Sequence, residues 1–117
     1  MKQYLLGIDI GTSACKIAIF DGDGRVIASG NGDYPVYYPQ AGWAEQNPEE
    51  WWSAVCRAVR ETLEKGKVNP GEIAGIGIDG QSWSAIPMDK NGEVLTNTPI
   101  WMDTRCLLYT SDAADEL

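Results

Sequence analysis

The sequence predicts an α/β domain built on a mixed sheet, and three observations predict it. Three short, largely apolar runs, Leu5–Ile8, Lys16–Phe20 and Val26–Ser29, follow one another with only tight, glycine-bearing connections. A helix signal begins at Pro48, and a fourth apolar run, Ile73–Ile78, follows the helix. Strands joined by tight turns pair antiparallel, whereas a strand–helix–strand crossover in one sheet is normally parallel and right-handed. The order βββαβ therefore implies an antiparallel meander with one parallel strand added beside the first.

Each element has its own local reason. Asp21-Gly22-Asp23-Gly24-Arg25 is a strong turn signal between the second and third strands. The stretch from Tyr34 to Pro48 holds three prolines and shows no period, so it reads as a loop that packs aromatics. Asn47 can cap the helix, Pro48 suits its first position, and Glu49 and Glu50 favour its positive end. Trp51, Val55, Val59 and Leu63 recur at i+4 as a buried stripe, and Arg57/Glu61 and Arg60/Glu64 are spaced to pair on the wet side. Gly66 is placed to end the helix as the left-handed residue. Beyond the fourth run, short strands are expected at Ala85–Met88 and around Ile100–Met102, with a turn at Asn91-Gly92. The acid-rich residues 106–117 have no period and read as a frayed tail.

Composition narrows the function. With 44% hydrophobic and 22% charged residues the chain of 117 is globular rather than disordered. A net charge of −8 argues against nucleic acid as a partner, although backbone N–H groups and a metal ion still allow a bound nucleotide. There is no histidine, and Cys15, Cys56 and Cys106 are isolated, which excludes zinc and imidazole chemistry and suits free thiols in a reducing cytoplasm. The N-terminal apolar run is broken at Asp9, too early for a signal peptide, and no run approaches the ~20 residues of a membrane span. A cytoplasmic protein without a membrane partner is the expectation.

The residues that carry chemistry lie at strand ends. Asp9 closes the first strand and is followed at once by Gly11, Thr12 and Ser13. Such a turn offers successive backbone N–H groups, a glycine that lets a ligand approach, and two hydroxyls for phosphate oxygens. Phosphates bring Mg²⁺, which a carboxylate can hold through water. The stretch is neither a Walker A loop, whose spacing is missing, nor a dinucleotide fingerprint, because a strand rather than a helix follows. An ordinary hairpin turn with an exposed acid remains the plain alternative. Gln81, Ser82 and Trp83 follow the fourth run, and Trp101 and Asp103 form a third group near Arg105. Amide, hydroxyl and indole together suit a polyol, with hydrogen bonds to its hydroxyls and an apolar wall for its C–H face. Trp83 and Trp101 are expected against a ligand, Trp51 and Trp52 in the core.

Four stretches, "GIDIGTSACKIAIFDGDGRVIASG", "GWAEQNPEEWW", "IAGIGIDGQSW" and "NTPIWMDTR", together resemble the N-terminal portion of the FGGY carbohydrate kinases, most closely their xylulokinase members. The resemblance covers residues 1–105. It implies an actin/hexokinase-like (ribonuclease H-like) ATPase fold, of which residues 1–105 are a partial N-terminal domain, and residues 106–117 a tail of non-native character. It implies ATP-dependent phosphorylation of a sugar or polyol hydroxyl with Mg²⁺. Asp9 then corresponds to the acid near metal and phosphates, and Gly11, Thr12 and Ser13 to the first phosphate loop. Gln81, Ser82, Trp83, Trp101 and Asp103 fall in the sugar pocket. The family's catalytic base lies downstream of this chain, so the fragment is expected to be inactive alone and, with open sheet edges and faces, to associate into oligomers. Ser82-Trp83 stands where xylulokinases carry Met-His, which leaves the sugar open. A non-enzymatic actin-like nucleotide module is the competing expectation, and it has no use for a polyol wall.

Overall fold

The computed structural model describes residues 3–105; the expected tail at 106–117 lies outside the described residues. The chain divides into two compact units, Met1–Tyr34 with Glu49–Gln81, and Pro35–Pro48 with Ser82–Leu117.

The first unit is the expected mixed sheet. Strands β1 (Tyr4–Ile10), β2 (Ala14–Phe20) and β3 (Val26–Asp33) form the meander. After helix α1 (Pro48–Gly66), strand β5 (Ile73–Gly80) joins parallel to β1, giving the order β3-β2-β1-β5. Leu6, Cys15, Ile17 and Ile19 are buried beneath α1 with Tyr34, Ala54, Val55, Ala58 and Val68. Burial of each large aliphatic side chain contributes roughly 1.5–3 kcal/mol.

The helix face is rotated from the expected stripe. Ala54, Val55, Ala58 and Thr62 are buried, whereas Trp51, Val59 and Leu63 are only partly so and flank the contact. The reason is close approach. A Cβ on Gly30 would stand 2.5 Å from Thr62 Oγ1, and one on Gly32 would stand 2.9 Å from the Ala54 carbonyl oxygen. Small residues therefore occupy the line of contact on both sides, and periodicity that tracks large side chains misses it. Thr62 is fully buried because its hydroxyl donates to the Ala58 carbonyl at 2.7 Å. Trp52, expected in the core, is 66% exposed.

The helix terminus also differs from expectation. Val68 N–H donates to the Leu63 carbonyl at 3.0 Å and Lys67 N–H to the Glu64 carbonyl at 3.1 Å, a Schellman motif. Its left-handed residue is Lys67, φ 54°, and not Gly66. Gly66 serves packing instead, since a Cβ there would lie 2.9 Å from the Ala28 Cβ. Among the described residues the closed ion pairs belong to Arg105, so Arg57/Glu61 and Arg60/Glu64 stay open.

Strand β5 is in register with β1, pairing Leu6 with Ile76 and Ile8 with Ile78. Yet Leu6 is 5% exposed while Ile76 and Ile78 are exposed, and of β5 it is Ile73 that packs against the core formed with α1. On the opposite face Gly7 and Gly77 pair across the same two strands, and open space lies over Gly77. That face carries an open groove of about 860 Å³, lined in part by Gly7, Ala18, Phe20, Gly77 and, at one end, Asp9 and Asp79.

In the second unit the proline-rich stretch is more ordered than expected. It contains β4 (Glu45–Gln46), and Tyr37 and Glu45 exchange both backbone hydrogen bonds at 2.8 Å. Strand β6 (Thr98–Pro99) pairs antiparallel with β4, two residues before the strand expected around Ile100–Met102. Ala85–Met88 forms no strand of its own and contributes one bridge, Met88 with Val94, across a turn at Gly92 (φ 81°). Asp89 explains that turn, since its carboxylate accepts from the amides of Asn91 and Glu93. Tyr37 and Tyr38, expected to pack, are exposed.

Candidate functional site

In the first unit the candidate site is assembled at the C-terminal ends of β1 and β5. The β1–β2 hairpin closes at Ile10 opposite Cys15, and Gly11 N–H donates to the Ala14 carbonyl at 3.0 Å. A Cβ on Gly11 would stand 3.0 Å from that same carbonyl oxygen, so glycine keeps this close turn free of crowding. Asp9 faces Lys16 on β2 and Asp79 on β5, in register with both. Two carboxylates thus sit side by side at the end of the sheet. The charge of Asp9, first, and then a hydrogen bond between the two carboxyls push Asp79 above the usual carboxylate range, with a smaller effect from burial. Among the described residues no three His, Cys, Asp or Glu side chains gather as a metal cage. Two carboxylates suit Mg²⁺, which keeps several waters and takes phosphate oxygens as further ligands.

The turn is held from behind by residues distant in sequence. Tyr34, just past β3, donates its amide to the Ser13 carbonyl at 3.2 Å and its hydroxyl to the Gly11 carbonyl. Gln81, just past β5, donates its amide to the Ile10 carbonyl at 2.8 Å and its side-chain amide to the Gly11 carbonyl at 3.4 Å. Gln81, expected on the sugar, is therefore tied to the Gly11–Ser13 turn. Burial, first, and then the charges of Cys15 and Asp9 raise the Tyr34 phenol above its ordinary range, so it stays a donor.

The second unit holds the other predicted residues. Ser82 and Trp83 are exposed, and Trp83 is 90% so with φ 70°. A bulky residue in the left-handed region is strained, and such strain gathers at binding sites. Trp101 is more than half exposed. Asp103 is different, for its side chain is only 3% exposed. It accepts from the Ala44 amide at 2.8 Å, the Arg105 amide at 3.0 Å and Arg105 Nη2 at 2.7 Å. Arg105 also reaches Glu45 at 2.7 Å and stacks on Trp43, 3.7 Å from the ring centroid. Hydrogen bonds from the guanidinium, chiefly, and from the two backbone amides hold the Asp103 carboxyl below its usual range, against the opposing effect of burial.

Sequence reasoning missed Tyr34, Trp43 and Glu45. For Tyr34 no local signal exists, since its partner Gly11 is 23 residues away. The clasp had one signal, Asp103 and Arg105 two residues apart, but their partners came from a stretch read as irregular.

A three-stranded meander, a crossover helix and a parallel strand, with an acid and a glycine turn at the hairpin, define the opening of an actin/hexokinase-like domain. Residues 4–114 match the N-terminal domain of the FGGY family of carbohydrate kinases, and the chain belongs to that family. It is 38% identical to a glycerol kinase of Thermococcus gammatolerans over 117 residues, all of this chain and 23% of that protein. Among solved structures it resembles a gluconate kinase of Lactobacillus acidophilus (TM-score 0.87, 31% identity), covering 97% of this chain and 22% of that one. A ligand-bound xylulose kinase from the same organism matches with the same TM-score, identity and coverage. The chain thus spans about a quarter of the length of its relatives. Those relatives act on different polyols and sugars, so the narrower likeness to xylulokinases widens to sugar and polyol kinases in general.

Proposed function

We propose that the protein carrying this chain transfers the γ-phosphoryl group of ATP to a hydroxyl of an open-chain polyol or ketose, and that these residues supply its first phosphate loop and part of its sugar wall. The observation that carries this is the alignment of Asp9 and Asp79 beside the tethered Gly11–Ser13 turn. Asp9, with Asp79 beside it, would hold hydrated Mg²⁺, which supplies charge neutralisation to the phosphates when bound. Backbone amides of the turn and the hydroxyls of Thr12 and Ser13 stabilise phosphate charge. Ser82, Trp83 and Trp101 offer a hydroxyl and two exposed indoles to the sugar. Asp103 serves that wall from behind, its carboxylate being spent on Arg105 and Ala44. The base that takes the proton of the accepting hydroxyl lies outside this chain, so the chain alone turns over nothing. A reducing cytoplasm suits the free thiols Cys15 and Cys56. The exposed Trp83 favours this reading over a nucleotide module without a sugar substrate.

The test is Asp9→Ala in the complete kinase. Turnover should fall ~10²-fold or more while the sugar KM changes little, because the lost contact serves charge that develops during transfer. Wild-type turnover would return Gly11–Ser13 to an ordinary hairpin turn.

A further inference from the structure

We propose that Tyr34 is a positioning residue for the phosphate loop, fixing the peptide planes at both ends of the Gly11–Ser13 turn through the carbonyls of Gly11 and Ser13. The inference rests on the reading of that turn as the phosphate loop.

The argument starts from peptide geometry. In a planar trans peptide the C=O and the following N–H point in opposite directions. A hydrogen bond that holds the Gly11 carbonyl toward Tyr34 therefore also sets the direction of Thr12 N–H. The Tyr34 amide, through the Ser13 carbonyl, does the same for Ala14 N–H. Glycine at position 11 makes such tethers necessary, because its wide φ/ψ freedom lets the plane rotate at little cost. A phosphate loop works by having its donors preset, so that none must reorganise as charge develops.

Tyr34 is built for this task. It is 6% exposed and belongs to the core beneath α1, so its ring is immobilised by packing. Its amide and hydroxyl reach the two ends of one three-residue turn. The other tether on Gly11, from Gln81, is longer at 3.4 Å and comes from a flexible side chain. Without the hydroxyl the Gly11 carbonyl keeps only that weaker contact from these two residues.

Tyr34→Phe separates positioning from packing, since it keeps the ring and removes one oxygen. Two measurements are made on the complete kinase. Amide hydrogen exchange without nucleotide should accelerate ~5- to 10-fold at Thr12, the loss expected of one hydrogen bond, with Ala14, Ile17 and Ile19 unchanged because the Tyr34 amide still holds the Ser13 carbonyl. Steady-state kinetics should show KM for ATP raised or kcat lowered by ~5- to 10-fold, with the sugar KM unchanged. Wild-type exchange at the turn together with wild-type ATP kinetics overturns the proposal. So does faster exchange throughout β1–β3 with unchanged ATP kinetics, which is the mark of a core residue only. Asp9→Ala run in parallel tells the two failures apart. A defective Asp9→Ala beside a normal Tyr34→Phe sinks this inference alone, whereas a normal Asp9→Ala sinks the phosphate-loop reading and this inference with it.

Discussion

Replacing Asp103 by Asn decides whether that carboxylate binds sugar or holds the second unit together. Asn keeps the shape but has one acceptor oxygen where Asp has two. In the wild type Oδ2 accepts from Arg105 Nη2 at 2.7 Å and the Ala44 amide at 2.8 Å, while Oδ1 accepts from the Arg105 amide at 3.0 Å and Arg105 Nε at 2.9 Å. In Asp103→Asn one of these sides faces an NH₂ group, donor against donor. A hydrogen bond to a charged group contributes about 1.5–3 kcal/mol, and breaking a buried pair outright costs about 3–5 kcal/mol. Glu45 remains with Arg105 at 2.7 Å, and Arg105 is 24% exposed, so the guanidinium is not stranded. The lower range applies, about 2–3 kcal/mol of local stability. Since 1.4 kcal/mol is tenfold in an equilibrium constant, exchange at the Ala44 and Arg105 amides should accelerate about 30- to 150-fold. The assay is hydrogen exchange on the complete kinase, with the sugar KM measured alongside. Wild-type exchange at both amides with a raised sugar KM would refute the clasp and return Asp103 to the sugar.

Three further outcomes are expected. Lys67→Gly should raise stability by about 1 kcal/mol in thermal denaturation, because glycine adopts the left-handed C′ position without strain; a lower midpoint would contradict that account. Asp79→Asn should raise the melting temperature at pH 7 and leave it unchanged near pH 3. Asp9 raises the Asp79 pKa, so this acid's contribution to stability is present below the ordinary carboxylate value of about 4 and fades as pH rises through the raised value; equal gains at both pH values would refute the coupling. Trp83→Gly should relieve about 1 kcal/mol of backbone strain yet weaken sugar binding with the ATP KM unchanged, and Trp83→His should change the ranking of sugars; unaltered sugar kinetics in both would remove Trp83 from the wall.

Much of the first unit was legible because its signals are local. Turn residues at Asp21–Arg25 mark a hairpin, Pro48 and its acids mark a helix start, and apolar runs mark strands wherever the chain lies. Asp9 and Gly11 stood out for the same reason, as an acid and a glycine interrupting an apolar stretch. The helix face was misjudged because hydrophobic periodicity weighs large side chains, whereas contact with β3 selects for small ones at Gly30, Gly32, Ala54 and Ala58. The second unit was harder to read, since β4 and β6 are two residues each, too short to show alternation.

By itself the sequence determined the strand runs, the crossover and the place of the acid-and-glycine turn, all of which are read from neighbours within a few residues. Tertiary structure decided which groups meet. It set Asp79 beside Asp9 across a parallel register, brought Tyr34 and Gln81 onto the carbonyl of Gly11, and folded Asp103 onto the Ala44 amide. Those partners lie tens of residues apart or on strands whose register no local pattern encodes. Hydrogen bonds and charge pairs act over a few ångströms of space, and separation along the chain carries no trace of them.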